Sequence, residues 1–124
     1  MTASAFLRAI SATYQRNPFN EYEHIIGGAV VQFQRARNPL MVELAFIKSI
    51  YPRTGAASLA LKLINKLADE CGVEVELYVV PLKHYAVDKK IALNKAQLRN
   101  WYQRHGFVVT LGTGYMTRKP QKEV

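Results

Sequence analysis

Cysteine is nearly absent from this 124-residue sequence, in which Cys71 is the single one. One cysteine excludes an internal disulfide and a cysteine-rich metal site, and we expect it to be a small core residue of a cytoplasmic protein. Long apolar runs are absent too, since none approaches the roughly 18 residues that span a bilayer. Residues 1–15 lack a continuous apolar stretch, which argues against a signal peptide. Three scattered histidines without a carboxylate cluster argue against a metal site.

Acidic residues are few: there are 9, against 17 lysines and arginines, and the net charge is +8. This balance suits an anionic partner, either a polyphosphate cofactor or a nucleic acid, although it also serves solubility alone. No helix-turn-helix, zinc-finger or RNA-recognition signature is found, which argues against the nucleic acid. The apolar share of 49% is typical of one globular domain with a single core.

The first part of the chain reads as a helix followed by two strands. The predicted elements are a helix (3–15), a loop (19–23), a strand (24–34), a turn (35–39) and a strand (40–50). Pro18 ends the helix, because the residue before a proline is pushed out of the helical region. Gly27 and Gly28 indicate a bulge or a close backbone approach within the first strand. The two strands are expected to form an antiparallel hairpin.

The second strand contains a carboxylate among apolar residues. Simple alternation places Val42, Leu44, Phe46 and Lys48 on one face, and Met41, Glu43, Ala45 and Ile47 on the other. If Glu43 is buried, its pKa rises and it becomes a candidate general base. The alternative is a glutamate at a sheet edge or facing solvent.

The chain is organised around residues 44–80, which read as strand, loop, amphipathic helix and strand. The loop from Tyr51 to Ser58 is rich in small residues, so a ligand can approach its backbone closely. The helix that follows (56–70) offers free N–H groups and a positive end to a phosphate. Thr54 is the predicted N-cap and Gly72 the predicted C-cap. The predicted core stripe consists of Leu59, Leu63, Ile64, Leu67 and Cys71, and Lys62, Asn65, Lys66 and Asp69 are expected to face outward.

The remaining elements complete a mixed sheet with helices on its faces. They are a strand (73–80), a basic loop or short helix (82–93), a helix (95–105) capped by Asn94, and strands at 107–110 and 115–119, before a frayed tail at 120–124. A strand, a crossover helix and a strand in this order predict a right-handed parallel pairing. The last two strands are expected to be antiparallel.

Several short motifs occur together in the second half of the chain. They are the loop PRTGAAS, the spacing Tyr-x-x-x-Gly-Phe at Tyr102, Gly106 and Phe107, and the spacing Gly-x-x-Tyr-x-x-Arg at Gly112, Tyr115 and Arg118. Over residues 25–119 the chain resembles the GCN5-related N-acetyltransferase (GNAT) family, and in particular small members encoded by bacteriophages. The resemblance implies a single α/β (α+β) domain over residues 1–124. Its central sheet would have about six mostly antiparallel strands with a parallel central pair, flanked by helices.

The resemblance also implies a function, namely transfer of an acetyl group from acetyl-coenzyme A to an amine. The cofactor would lie in the splay between the two parallel strands, and Tyr102 would protonate the departing thiolate, with Glu43 as the candidate base. The residues expected to contact the cofactor are Phe46, Ile47 and Lys48 (pantetheine), Arg53, Thr54, Gly55, Ala56, Ala57 and Ser58 (pyrophosphate), and Asn94 (pantetheine or adenosine end). Two positions depart from the family's pattern: Pro52 stands where a Gln or Arg is usual, with Arg53 one place late, and Asn94 is one residue out of register.

Two other interpretations stay open at this point. The chain could be a non-catalytic protein of the same fold that binds or assembles with a partner, including a second copy of itself, in a phage particle, the virion or the host cytoplasm. Trp101 and Tyr102 could be core aromatics, Arg53 a surface residue and Tyr115 a sheet residue. The acceptor of an acetyl group would be a protein amine, a small amine such as an aminoglycoside or polyamine, or an amino acid.

Overall fold

Three helices and seven strands are present in a computed structural model that describes residues 3–17, 20–36, 38–50, 54–79, 95–110 and 112–121. In chain order they are α1 (Ala3–Thr13), β1 (Gln15–Asn17), β2 (Asn20–Ile26), β3 (Ala29–Arg35), β4 (Met41–Ser49), α2 (Ala56–Cys71), β5 (Glu74–Tyr78), α3 (Lys95–Arg104), β6 (Val108–Val109) and β7 (Tyr115–Arg118). The predictions for Pro52, Arg53, Asn94 and the basic segment 82–93 lie outside the described residues.

The strands form one sheet in the order β1-β2-β3-β4-β5-β7-β6. Neighbours are antiparallel except for the central pair, β4 and β5, which is parallel and connected through α2. The predicted fold class, a mostly antiparallel mixed sheet with a parallel central pair, is confirmed. The described sheet has seven strands where about six were expected.

The three described helices pack on one face of this sheet. In α1, the ring of Phe6 contacts Phe33 of β3, with 5.4 Å between centroids. α3 is joined to α2 by a hydrogen bond from Asn65 Nδ2 to the His105 carbonyl, at 3.1 Å. Between helices and sheet lies the core, whose sheet residues include Ile26, Val31, Phe33, Val42, Leu44, Val75, Leu77 and Met116. We call the opposite side of the sheet the open face; its side chains include Glu23, Ile25, Gln32, Gln34, Glu43, Phe46, Glu76, Tyr78 and Tyr115.

The start of the chain differs from its prediction. α1 ends at Thr13, and the next residues form β1, which pairs with β2 through Gln15↔Ile25 and Arg16↔His24. The predicted loop 19–23 therefore contributes to β2. The polar sequence of β1 has little intrinsic β propensity, so its strand conformation depends on pairing with β2, which alternation cannot reveal.

Gly27 and Gly28 form the turn of a β2–β3 hairpin, where a bulge inside one long strand was predicted. Both have positive φ, 59° and 85°, which suits a two-residue turn between right-twisted strands. The turn also packs against the first turn of α2, since a Cβ on Gly27 would lie 3.3 Å from the Ala60 nitrogen. The close backbone approach was therefore correctly expected.

The buried stripe of α2 is rotated relative to the prediction. Its buried residues are Ala60, Leu61, Ile64, Asn65, Ala68 and Cys71. Leu59 is instead 50% exposed, beside the glycine turn. Asn65, predicted to face outward, is buried because its amide group donates to the carbonyl at the end of α3. The N-cap is Gly55 rather than Thr54, and Gly72 is confirmed as the C-cap.

An ion pair fastens the last strand to α2. Arg118 of β7 contacts both carboxylate oxygens of Asp69, at 2.7 and 3.0 Å, and the Gln121 amide donates to the same carboxylate at 2.8 Å. Burial alone would raise the pKa of Asp69, but these hydrogen bonds and the charge of Arg118 hold that pKa below its ordinary value of 3.8. The ion pair therefore stabilises the fold while Asp69 is ionised.

Replacing Gly27 by alanine is expected to lower the free energy of unfolding by about 2 kcal/mol, because the new Cβ meets α2 as well as the left-handed backbone. Gly112→Ala is the matched control, with a φ of 80° and open space around the site, and it should cost about 1 kcal/mol. Chemical denaturation measures both. Equal losses would show that the turn does not press on α2.

Asp69→Asn should lower the free energy of unfolding by about 2 kcal/mol at pH 7, because it leaves the buried Arg118 without its counter-charge. The folded-state pKa of Asp69 is lowered, so this contribution is present above pH 3.8 and is lost as the pH falls through the folded-state pKa. Denaturation curves from pH 7 to pH 2 should converge for wild type and variant. Glu70→Gln, at an exposed neighbour, should change stability by under about 0.5 kcal/mol.

Candidate functional site

One extra residue in β4 shapes the centre of the sheet. Gln32 of β3 pairs with Phe46 and the next residue, Phe33, pairs with Leu44, so Ala45 is an additional residue that forms a β-bulge. The registered parallel pairs of β4 and β5 end at Glu43↔Glu76, although β4 continues to Ser49. The registered pairing of the two central strands therefore ends just before the bulge in β4, and within the described residues their carboxyl ends are not paired with each other.

The bulge also reverses the side-chain faces that alternation predicted for the end of β4. Ile47 is buried with Leu44, at 5% exposure, while Phe46 and Lys48 are on the open face. The prediction that Phe46 and Lys48 share a face with Val42 is therefore wrong. All three residues expected to contact pantetheine, Phe46, Ile47 and Lys48, lie beyond the last registered pair with β5.

The start of α2 lies next to the carboxyl end of β4. Gly55 is left-handed, with φ 77°, and a Cβ there would meet nothing within 4 Å. The N–H of Ala57 donates to Ser49 Oγ at 3.0 Å, so one amide of the first turn already has a partner within the chain. The bend thus keeps open space beside Gly55, and Ser49, which sequence reasoning missed, caps the helix from the preceding strand.

Tyr102 is a core residue of α3. It is 7% exposed, and its ring lies 5.6 Å from Phe107 and 4.9 Å from Trp101 between centroids. Gly106, with φ 91°, turns the chain so that the Phe107 amide donates to the Tyr102 carbonyl at 3.2 Å. The Tyr-x-x-x-Gly-Phe motif therefore has a packing role, whatever its chemistry. Burial raises the pKa of Tyr102, so its phenol stays protonated across the physiological range.

Trp101 joins α3 to the start of α2. Its Nε1 donates to Ser58 Oγ at 2.9 Å, and its ring contacts His105 at 5.1 Å between centroids. Burial and the charges of Lys62 and Arg104 lower the pKa of His105, which favours a neutral imidazole there. Tyr102 therefore directly follows Trp101, whose side chain contacts Ser58. Ser58 is one of the residues predicted to contact the cofactor.

Glu43 lies half-buried on the open face. It pairs with Gln34 of β3 on one side and with Glu76 of β5 on the other. Burial and the neighbouring charges of Glu43 and Glu74 raise the pKa of Glu76. Glu76 is a residue that the functional prediction left out. The sequence signal for Glu76 was its position between the buried strand residues Val75 and Leu77, which places its side chain on the opposite face of the sheet.

Two classes of site have no support among the described residues. The described residues contain no group of three His, Cys, Asp or Glu side chains that could hold a metal ion. His24 is instead a core residue, 3% exposed, with Nε2 at 3.2 Å from Ser11 Oγ. No helix in the described part of the chain is long and apolar enough to cross a membrane.

Comparison with known proteins supports the fold alone. No protein-family profile matches the sequence, and no curated protein sequence matches it significantly. The chain is similar in structure to the anti-CRISPR protein AcrVA5, known from a crystal structure, with a TM-score of 0.55. The two are 16% identical, and the match covers 74% of this chain and 90% of that one. At this identity the likeness shows that both chains share a mixed α+β architecture.

Proposed function

We propose that the protein is an N-acetyltransferase of the GNAT type that uses acetyl-coenzyme A. The observation that carries this proposal is the parting of β4 and β5 at the Ala45 bulge, next to the start of α2. A gap between parallel strands, closed at one end by a helix N-terminus, suits a long ligand with a phosphate-bearing end. The GNAT resemblance of the sequence motifs points to the same ligand.

The start of α2 is the proposed pyrophosphate site. The open space beside Gly55 lets phosphate oxygens approach the backbone, and the helix end supplies amide donors and a positive partial charge. The Ala57 N–H already donates to Ser49 Oγ. The Ser49 hydroxyl must therefore rotate away before this amide can donate to a phosphate oxygen. Beyond it, the β4 segment from Phe46 to Lys48 would hydrogen-bond the pantetheine arm.

The bound cofactor would supply an acetyl thioester for attack by a neutral amine. Tyr102 is the proposed donor to the departing sulfur. Because burial raises the phenol pKa while a thiol has a pKa of about 8.5, a hydrogen bond to the thiolate is easier than complete proton transfer. We therefore assign Tyr102 the stabilising hydrogen bond, and Glu43 the removal of a proton from the amine, directly or through a water.

A negative charge beside the first turn of α2 should weaken cofactor binding without unfolding the protein. Thr54→Asp places a carboxylate where it repels a diphosphate. The same carboxylate interacts favourably with the positive end of the α2 dipole. We expect an affinity for coenzyme A about tenfold lower by calorimetry, with the melting temperature unchanged or raised. Thr54→Asn is the neutral control and should bind within about twofold of wild type. A wild-type protein that binds no coenzyme A at millimolar concentration refutes the proposal.

Tyr102→Phe should lower kcat for thiol release from acetyl-coenzyme A by about 100-fold while leaving cofactor affinity unchanged, because only the phenol hydroxyl is lost. Tyr115→Phe, at a tyrosine of the open face that is 36% exposed, is the matched control and should keep wild-type kcat. The assay follows thiol release with a panel of amines. Equal kcat for both variants would remove Tyr102 from the mechanism.

A second candidate function is a non-catalytic protein of this fold that binds a partner. The observation in its favour is that the chain's own side chains contact the start of α2, Ser49 at the Ala57 amide and Trp101 at Ser58. These contacts stabilise the helix without any cofactor. Absence of coenzyme A binding together with self-association in analytical ultracentrifugation would favour this candidate.

A further inference from the structure

A shallow depression of about 370 Å³ lies on the open face, lined by Glu23, Gln32, Gln34, Ala45 and Phe46. The strand register explains how these residues meet. Glu23 of β2 pairs with Gln32 of β3, and Gln32 pairs with Phe46 of β4, so the three form one row across the sheet. The bulge at Ala45 bends β4 and so creates the hollow beside this row.

The depression adjoins the proposed base. Gln34, at its edge, pairs directly with Glu43, and both point to the open face. Leu44 and Ala45 separate Glu43 from Phe46 in β4, where the registered pairing with β5 ends. A molecule held in the depression would therefore lie next to Glu43 and to the end of the strand gap.

The chemistry of the lining differs from that of the whole chain. The protein carries a net charge of +8, yet the five lining residues include one carboxylate, two carboxamides and no basic group. Glu43 and Glu76 add negative charge in the neighbouring row, while Lys48 is exposed on the same face, two residues beyond Phe46. Carboxylate and carboxamide oxygens accept hydrogen bonds from ammonium groups and repel anionic ones.

We propose that this depression binds the acceptor of the acetyl transfer, and that the acceptor is an aliphatic primary amine bearing a second positive charge. The inference rests on the proposed function and narrows its substrate. The carboxamides of Gln32 and Gln34 hold the distal cation beside the negative charges of Glu23 and Glu43, and Phe46 contacts the aliphatic chain. The shared chemistry occurs both in free polyamines and in lysine side chains of basic peptides. Amino acids are disfavoured, because their carboxylate would face Glu23 and Glu43.

The proton balance assigns Glu43 a definite task. The ammonium gives one proton to Glu43, the neutral nitrogen attacks the thioester carbonyl carbon, a C–N bond forms and the C–S bond breaks. As the amide forms, the nitrogen loses its second proton, directly or through water, to the leaving sulfur, which Tyr102 stabilises by its hydrogen bond. The products are an N-acetylated amine and a thiol, with one net proton released to solvent.

The test uses the full chain and three amines: spermidine, a short peptide with one lysine flanked by arginines, and β-alanine. Gln34→Lys puts a positive charge at the edge of the depression, and Gln103→Lys puts the same charge on an exposed position of α3 as the control. We expect Gln34→Lys to raise KM for spermidine or the peptide at least tenfold while coenzyme A affinity stays near wild type. Gln103→Lys should keep the wild-type KM. The relative KM of spermidine and peptide separates the free from the peptide-borne source.

Two outcomes overturn the inference even if acetyl-coenzyme A is bound and used. They are β-alanine serving as well as spermidine, and Gln34→Lys leaving KM unchanged. Amide chemical shifts provide a readout that does not depend on turnover. Spermidine should shift the signals of Gln32, Gln34 and Phe46 in wild type but not in Gln34→Lys, and β-alanine should not shift them. If cofactor binding fails, the proposed function falls while these shifts still decide whether the depression recognises a cationic amine.

Discussion

The extra residue Ala45 is the constraint on which the centre of the structure depends. Without it, simple alternation would turn Lys48 towards the core and Ile47 towards the open face. With it, Ile47 fills the core, Phe46 faces the open side and the parallel pairing ends after Glu43. The middle of β4 thus combines three features: a bulge, a hollow on the open face and the carboxylate of Glu43 beside it.

The helix face and the open face have different tasks. On the helix face, apolar side chains hold α1, α2 and α3 against the sheet, together with three partly hydrogen-bonded polar residues, His24, Asn65 and Arg118. The open face keeps polar and aromatic side chains that no described helix covers, including Tyr78 and Tyr115, whose rings contact each other at 5.1 Å. The side chains of the open face therefore take no part in helix packing, so they can vary without a change in the core.

Much of the fold could be predicted from sequence because its signals are local. The alternation of Val75 and Leu77 with glutamates identified β5, and the strand–helix–strand order fixed the parallel pair. The rest depends on partners distant in sequence: the polar β1 exists through pairing with β2, and the bulge through register with β3. At the site, the small residues of the bend were visible, whereas the cap that Ser49 places on Ala57 was not. Asn65 is buried only because the His105 carbonyl accepts its hydrogen bond.

The central ladder has only three registered pairs, Met41↔Glu74 to Glu43↔Glu76. Strands β1–β4 and strands β5–β7 are thus two antiparallel half-sheets with a short seam, and α2 bridges them through its apolar face on one side and the Asp69–Arg118 pair on the other. Widening of the seam breaks none of the antiparallel ladders. Beyond Glu43 and Glu76, no registered backbone pair joins the described residues of the two half-sheets, and α2 provides the connection between them.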